Sequence, residues 1–259
     1  MLRKLIKYDL LWMNRTLIIF YAITFVFAIL MRLGENLTDS VIGSLLRHIL
    51  PGFVIGAMIN VIVNAAIRIW VRFRQNCYKD EAYLTHTLPI TRAQLYDSKV
   101  IAALISTVIA VAVVIMCFFI AFWNNDMYEY FCSLVENADM GFIIGGILIT
   151  ALLEIIYVIA VGLFGLVVGH RRNNNRVLYS VVIGMVLYFA LQAILLAVIY
   201  CIGFFDDGIK AMFESSPENA ISLNNYRTLI ISADTAYLVL NVCLYALGKH
   251  YFEKGVNVD

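Results

Sequence analysis

The chain has 259 residues, 62% of them apolar and 14% charged, with a formal net charge of +1. Soluble domains are roughly 45–50% apolar, so this composition excludes a water-soluble globular protein. The five cysteines are scattered without a CxxC pair and suggest neither a zinc site nor a disulfide framework.

Residues 1–15 place Leu2, Leu5, Ile6, Trp12 and Met13 among Arg3, Lys4, Lys7 and Arg15, the mixture of an amphipathic helix lying in the membrane interface. The apolar run 17–33 is too long for a signal-peptide core and lacks a small-residue cleavage site, so it reads as a retained first span. A short polar connection leads to a second span, 49–70, with Pro51 and Gly52 near its start, where a missing N–H is tolerated. Residues 72–99, RFRQNCYKDEAYLTHTLPITRAQLYDSK, are then a polar and basic island. Because 100–123 is again long enough to cross a bilayer, which takes about 20 residues, this island must lie at the membrane surface. Within it, 80–88 suits a short surface helix, Pro89 disfavours helical geometry for the residue before it, and Thr87 or Thr91 can cap the next helix. An acidic loop, 124–140, precedes the fourth span, 141–168. The tight basic turn 170–176 leads into the fifth, 177–203, and a second acidic loop, 204–226, precedes the sixth, 228–247. The expected fold is an all-α membrane protein: one domain, 1–259, of six transmembrane helices with an interfacial amino-terminal helix.

Six spans put both termini on one side, and the basic residues select that side. Fifteen of the nineteen Lys and Arg residues fall with the termini, with 72–99 and with 170–176, against Arg32, Arg47, Lys210 and Arg227 on the other. The positive-inside rule makes the first group cytoplasmic. These basic clusters hug span ends, where topology and anionic lipid account for them, so they make no case for nucleic-acid binding.

Polar groups inside the spans cost a few kcal/mol unless they face protein or water. Glu154 lies in the fourth span, Asn60 and Asn64 in the second, and Gln192 in the fifth. Asn60, Asn64 and Arg68 are four apart and share a helical face with Gly56. Such amides either glue a bundle through interhelical hydrogen bonds or line a path or subunit interface. Glu154 could serve as a strut, as the partner of a basic group or as a titrating group. Asp234, in the first turns of the sixth span, reads as a helix-start carboxylate. Gly141, Gly145, Gly162, Gly165 and Gly169 permit close helix packing. No HExxH, GxSxG or GxxxxGK[ST] motif occurs, and the four histidines are far apart. No catalytic residue, metal ligand or bound cofactor is assigned.

The run DEAYLTHTLPITRAQLYDSKVIAAL, residues 80–104, resembles the cytoplasmic segment of type-2 ATP-binding-cassette exporter permeases of Gram-positive-type bacteria. In that family an acidic pair, an aromatic, a Leu-Thr-x-x-Leu-Pro core and a later Ser-Lys precede the third span. The six spans, the chain length and the amphipathic amino terminus match the same family. The resemblance implies that 72–99 holds a coupling helix that inserts into a groove on a separate ATPase subunit. Asp80, Glu81, Tyr83, Leu84, Thr85, His86, Thr87 and Leu88 would inherit that contact. It further implies a second copy of this permease or a related one, ATP and Mg bound on the partner ATPase, and Asn60, Asn64 and Gln192 along a central path.

The expected function is export of amphipathic peptides or other membrane-partitioning compounds through the cell membrane, as in the phenol-soluble-modulin and antimicrobial-peptide exporter groups. Two alternatives stay open: a drug-sensing or resistance subunit without bulk export, and an ion-coupled carrier built around Glu154.

Overall fold

A computed structural model of the chain describes residues 2–34, 41–79, 81–136, 138–172, 175–205 and 223–255. Among these there are eight helices and no strand: α1 (Leu2–Gly34), α2 (Val41–Tyr78), α3 (Ala82–His86), α4 (Arg92–Phe122), α5 (Asn125–Glu136), α6 (Ala138–Gly169), α7 (Arg176–Phe205) and α8 (Leu223–Glu253). All but α3 and α5 are long and apolar enough to cross a bilayer, which makes six spans and a multi-pass membrane protein. Large apolar side chains such as Ile59, Val186, Phe189 and Leu196 stand exposed along them, an arrangement that suits lipid and not water. The helices form two compact units, α1 to α4 and α6 to α8, with the boundary inside α5 between Tyr130 and Phe131.

In the first unit, α1 differs from expectation. No break separates an interfacial helix at 1–15 from the first span; the helix runs unbroken through both. Nothing between Leu2 and Leu33 interrupts it, since that stretch holds neither Pro nor Gly. One buried stripe, Asp9, Met13, Leu17, Tyr21, Thr24 and Ala28, runs down its length at helical spacing. With 33 residues it is about 50 Å long, well beyond the roughly 30 Å hydrocarbon core. The stripe packs on Val54, Met58, Val61 and Ala65 of α2 and on Ala110, Cys117 and Ala121 of α4. Small residues on α4 bring its backbone close to α1, and dispersion contacts follow. At the far end, Arg32 Nη1 donates to the Trp123 carbonyl at 2.5 Å, satisfying an acceptor at the end of α4.

Two further elements differ from the sequence expectation. Pro51 sits inside α2, which begins at Val41, instead of at the helix start. The segment read as an acidic loop at 124–140 is mostly helix, α5, started by Asn124, whose Oδ1 accepts the Met127 N–H at 2.8 Å. Most of the other acidic loop, 204–226, lies outside the described residues.

In the second unit, α6 packs on both α7 and α8. Where it meets α7 the approach is backbone to backbone: a Cβ on Gly165 would lie 2.8 Å from the Ser180 carbonyl, and one on Gly169 2.5 Å from Ser180 N and Cα. The turn between them is closed by Asn175 at φ 48°, a left-handed conformation that asparagine tolerates. A tyrosine cluster fills the rest, with Tyr157 5.9 Å from Tyr188 and 5.6 Å from Tyr237 between ring centroids.

Glycine contacts therefore sort the glycines by consequence. Gly169→Val should destabilise the protein by about 1–3 kcal/mol by wedging α6 from α7. Gly56→Ala, where an added Cβ meets nothing within 4 Å, should be neutral or stabilising by up to about 1 kcal/mol. Denaturant titration in micelles checks both, and equal losses at the two sites would contradict the packing described.

Candidate functional site

The basic end of the first unit is where chemistry-bearing side chains converge. α2 runs past the apolar region to Tyr78, and its last turns carry Arg72 and Asn76 on one face, four residues apart. α3 is one short turn of helix beside them. Leu88, Pro89 and Ile90 end it, with the Ile90 N–H donating to the Leu88 carbonyl at 2.7 Å. α4 then starts on a capping box: Thr91 Oγ1 accepts the Gln94 N–H at 3.2 Å and Gln94 Oε1 accepts the Thr91 N–H at 3.3 Å. This start places Lys99 two turns into α4, facing α1 and α2.

Asp9 of α1 is the centre of the cluster and is 2% exposed. Its Oδ1 accepts Arg72 Nε at 2.8 Å and its Oδ2 accepts Lys99 Nζ at 2.6 Å. Lys99 donates a second bond to Asn76 Oδ1 at 2.8 Å, and the other side of Arg72 grips Glu81, Nη1 lying 3.0 Å from Oε1 and 2.9 Å from Oε2. Asn76 Nδ2 donates to Glu81 Oε2 at 2.6 Å, and Thr85 Oγ1 donates to Asn76 Oδ1 at 3.1 Å. Two carboxylates and two cations make the cluster neutral. It joins α1, α2, α3 and α4 through six side chains, and only Glu81 is substantially exposed.

Within one turn of the hub residues along α1, α2 and α4 stand buried apolar and aromatic side chains. Met13, Phe73, Tyr78 and Tyr96 are each 2% exposed, with Phe73 edge-on to Tyr96 at 6.2 Å. The Trp12 ring lies 5.2 Å from the Arg72 guanidinium and 5.9 Å from that of Arg68, within cation–π range of both. Excluding water strengthens each ionic bond, and it equally raises the cost of leaving any charge unpaired.

The predicted contact run divides in two. Asp80 lies outside the described residues. Glu81 and Thr85 point into the hub, together with buried Ala82. His86 Nε2 lies 3.2 Å from the Cys77 carbonyl, and Thr87 Oγ1 donates to the Leu84 carbonyl at 3.0 Å. Tyr83 and Leu84 face outward, each 74% exposed, with Leu88 beside them at 37%.

The four intramembrane polar residues fall in different units. In the first, Asn64 Nδ2 donates to the Asn60 carbonyl at 2.9 Å and also reaches the Asn60 side-chain oxygen. Asn60 borders an open groove of about 490 Å³ between α1 and α2, walled by Phe20, Phe27, Phe53 and Gly56. In the second, Gln192 Nε2 is 3.5 Å from Tyr237 Oη. Glu154 is half-buried one turn from Thr150, and no hydrogen bond or ion pair engages it among the described residues. Asp234, expected as a bland helix-start carboxylate, accepts from Thr150 Oγ1 at 2.5 Å and so ties α8 to α6. Among the described residues no three His, Cys, Asp or Glu side chains are grouped as metal ligands would be.

Sequence reasoning missed Asp9, Asn76 and the partners of Arg72 and Lys99. The available signal was Asp9 itself: the one acid among the basic residues of 1–15, in phase with Met13 and Leu17. Comparison of the chain with protein-family models, with curated proteins and with solved structures returns no match.

The hub makes unequal demands on its members. Asp9→Ala leaves Arg72 and Lys99 buried without their shared anion and should cost about 3–5 kcal/mol. Lys99→Met should cost less, because Arg72 still holds Asp9 and Thr85 still donates to Asn76. A double-mutant cycle between positions 9 and 99, measured by denaturation in micelles, should give a coupling energy of about 1 kcal/mol or more. Strict additivity would mean that the two groups do not interact.

Proposed function

We propose that the chain is the permease subunit of an ATP-driven exporter of the type-2 ATP-binding-cassette kind, docking a separate ATPase subunit on the outer face of α3. One observation carries this reading. A five-residue helix between two membrane helices fixes its inner face in a buried ionic cluster while turning Tyr83 and Leu84 fully outward. Exposed aromatic and aliphatic side chains on a turn held by its inner face are how anchors enter a partner's groove, and a backbone already held loses less entropy on binding.

The resemblance of residues 80–104 to the coupling segment of such permeases supplies the partner's class. In this reading the basic end is cytoplasmic, which agrees with the positive-inside count, and ATP and Mg belong to the ATPase. A second permease copy, or a related chain, completes the transporter in the cell membrane. The cargo would be amphipathic peptides or other compounds that partition into the membrane, entering from an apolar environment such as the α1–α2 groove beside Asn60.

Outward and inward residues of the run should behave differently. Leu84→Asp or Tyr83→Ala should weaken association with the ATPase by about 2 kcal/mol, some 30-fold, while leaving thermal stability unchanged. Glu81→Lys acts on the hub and should lower stability first. Copurification and melting in detergent separate the two effects, and normal ATPase yield from Leu84→Asp would remove the docking assignment.

A second reading, an ion-coupled carrier, draws on Glu154, which has no ionic partner among the described residues and lies one turn from the Thr150–Asp234 bond. Glu154→Gln decides it. Carriage through Glu154 requires transport in vesicles to lose its dependence on a pH gradient, whereas ATP-driven export should continue.

A further inference from the structure

We propose that Asp9 is a positioning residue that makes the first half of α1 part of the coupling element, so that a displacement of α3 reaches α1 and α4 at the same moment as α2. The inference rests on the proposed function and adds to it the residue that transmits the motion. Chain connectivity alone would deliver a push on α3 only to α2, which precedes it, and to α4, which follows it. Asp9 changes that connectivity. Its two oxygens are divided between helices, Oδ1 to Arg72 at 2.8 Å and Oδ2 to Lys99 at 2.6 Å, and those same two cations are bonded onward to Glu81 and to Asn76. From α3, Glu81 therefore reaches Asp9 through the single guanidinium of Arg72. Thr85 reaches it through Asn76 and Lys99.

These two routes leave α3 from positions four residues apart, so they hold both its ends. Below Asp9 the stripe of α1 continues as Met13 and Leu17, both buried, with Leu17 packed in a cluster with Val61, Ala65 and Ala110 of α2 and α4. A shift at Asp9 is therefore carried along a rigid helix into the span. The hub has a further property that a greasy contact would lack. Sliding one partner strands a charge in a buried place, so the cluster resists partial displacement and moves as a body or breaks.

The test uses the full chain in phosphatidylglycerol–phosphatidylethanolamine nanodiscs. Asp9→Asn/Lys99→Met removes one acid and one base, keeps the hub neutral, and leaves Arg72–Glu81 and Thr85–Asn76 in place. Hydrogen exchange of the amides in 2–12 should rise about 10-fold or more, while those of α6 to α8 hold their native rates. Asp9→Glu, which retains the anion, should stay near native, and Asp9→Asn alone should follow the double variant. With the ATPase that copurifies with the native chain, the double variant should keep its affinity within about twofold, since Tyr83 and Leu84 are untouched. Its ATP turnover in the complex should change at least fivefold, and Asp9→Glu should restore it.

Unchanged exchange in 2–12 overturns the inference, and so does raised exchange with native turnover. If no ATPase associates with the native chain, the proposed function falls, and with it the role in coupling; the exchange rates then still report whether Asp9 holds α1.

Discussion

One carboxylate shared between two cations on two other helices fixes the basic end of this protein. Asp9 is buried, and a buried anion is tolerable only where it is paired and hydrogen-bonded. Arg72 and Lys99 supply one charged donor to each of its oxygens, and each cation then needs a second acceptor, which Glu81 and Asn76 provide. The requirement propagates until it reaches the half-exposed Glu81, where water takes over. Four chain segments are positioned by one chain of electrostatic obligations. No pair in it would be worth much on a surface, where exposed ion pairs contribute about 0–1 kcal/mol. Buried as they are here, the same atoms determine where α3 can lie.

The two units are held together by different physics. The second has no comparable ionic centre among its described residues; its helices approach through Gly165, Gly169 and Gly184 and through tilted and edge-on tyrosines. Backbone contact and dispersion fix α6 against α7, and two polar bonds, Thr150 to Asp234 and Asn241 to the Leu153 carbonyl, set α8 against α6. In lipid, where burying apolar surface between helices gains little, such contacts are what remains to choose a packing.

The sequence made the spans plain because the hydrocarbon core imposes a length and an apolar content that few other structures share. It also suggested a short helix before Pro89 and offered Thr87 or Thr91 as the following cap, of which Thr91 caps α4, since such features follow from backbone sterics and local hydrogen bonding. Other features were hidden for identifiable reasons. A mixture of Lys, Arg and Leu describes an interfacial helix and the overhanging end of a long span equally well, and only the phase of Asp9 with Met13 and Leu17 distinguishes them. Arg72 and Lys99 entered the charge count as topology markers, a use that treats every cation as solvated and is blind to partners. The run 80–88 was legible as an element, but which of its residues face in depends on Asn76 and Arg72, five to nine residues away in sequence on another helix. The acidity of 124–140 suggested a loop, although a capped helix can be as acidic when one side faces water.

The length of α1 has a consequence for the surrounding lipid. Because the helix exceeds the hydrocarbon thickness by about 20 Å, part of it must overhang, and Trp12, packed on the Arg68 and Arg72 guanidinium groups, belongs to the overhanging basic end. A bilayer of different thickness would be met by tilt or by a change in how much of α1 overhangs. Since Arg72 and Lys99 bind Asp9 in that overhang and are bonded onward to Glu81 and Asn76, α3 would follow it, and acyl-chain length would be one variable on which the height of Tyr83 and Leu84 above the lipid depends.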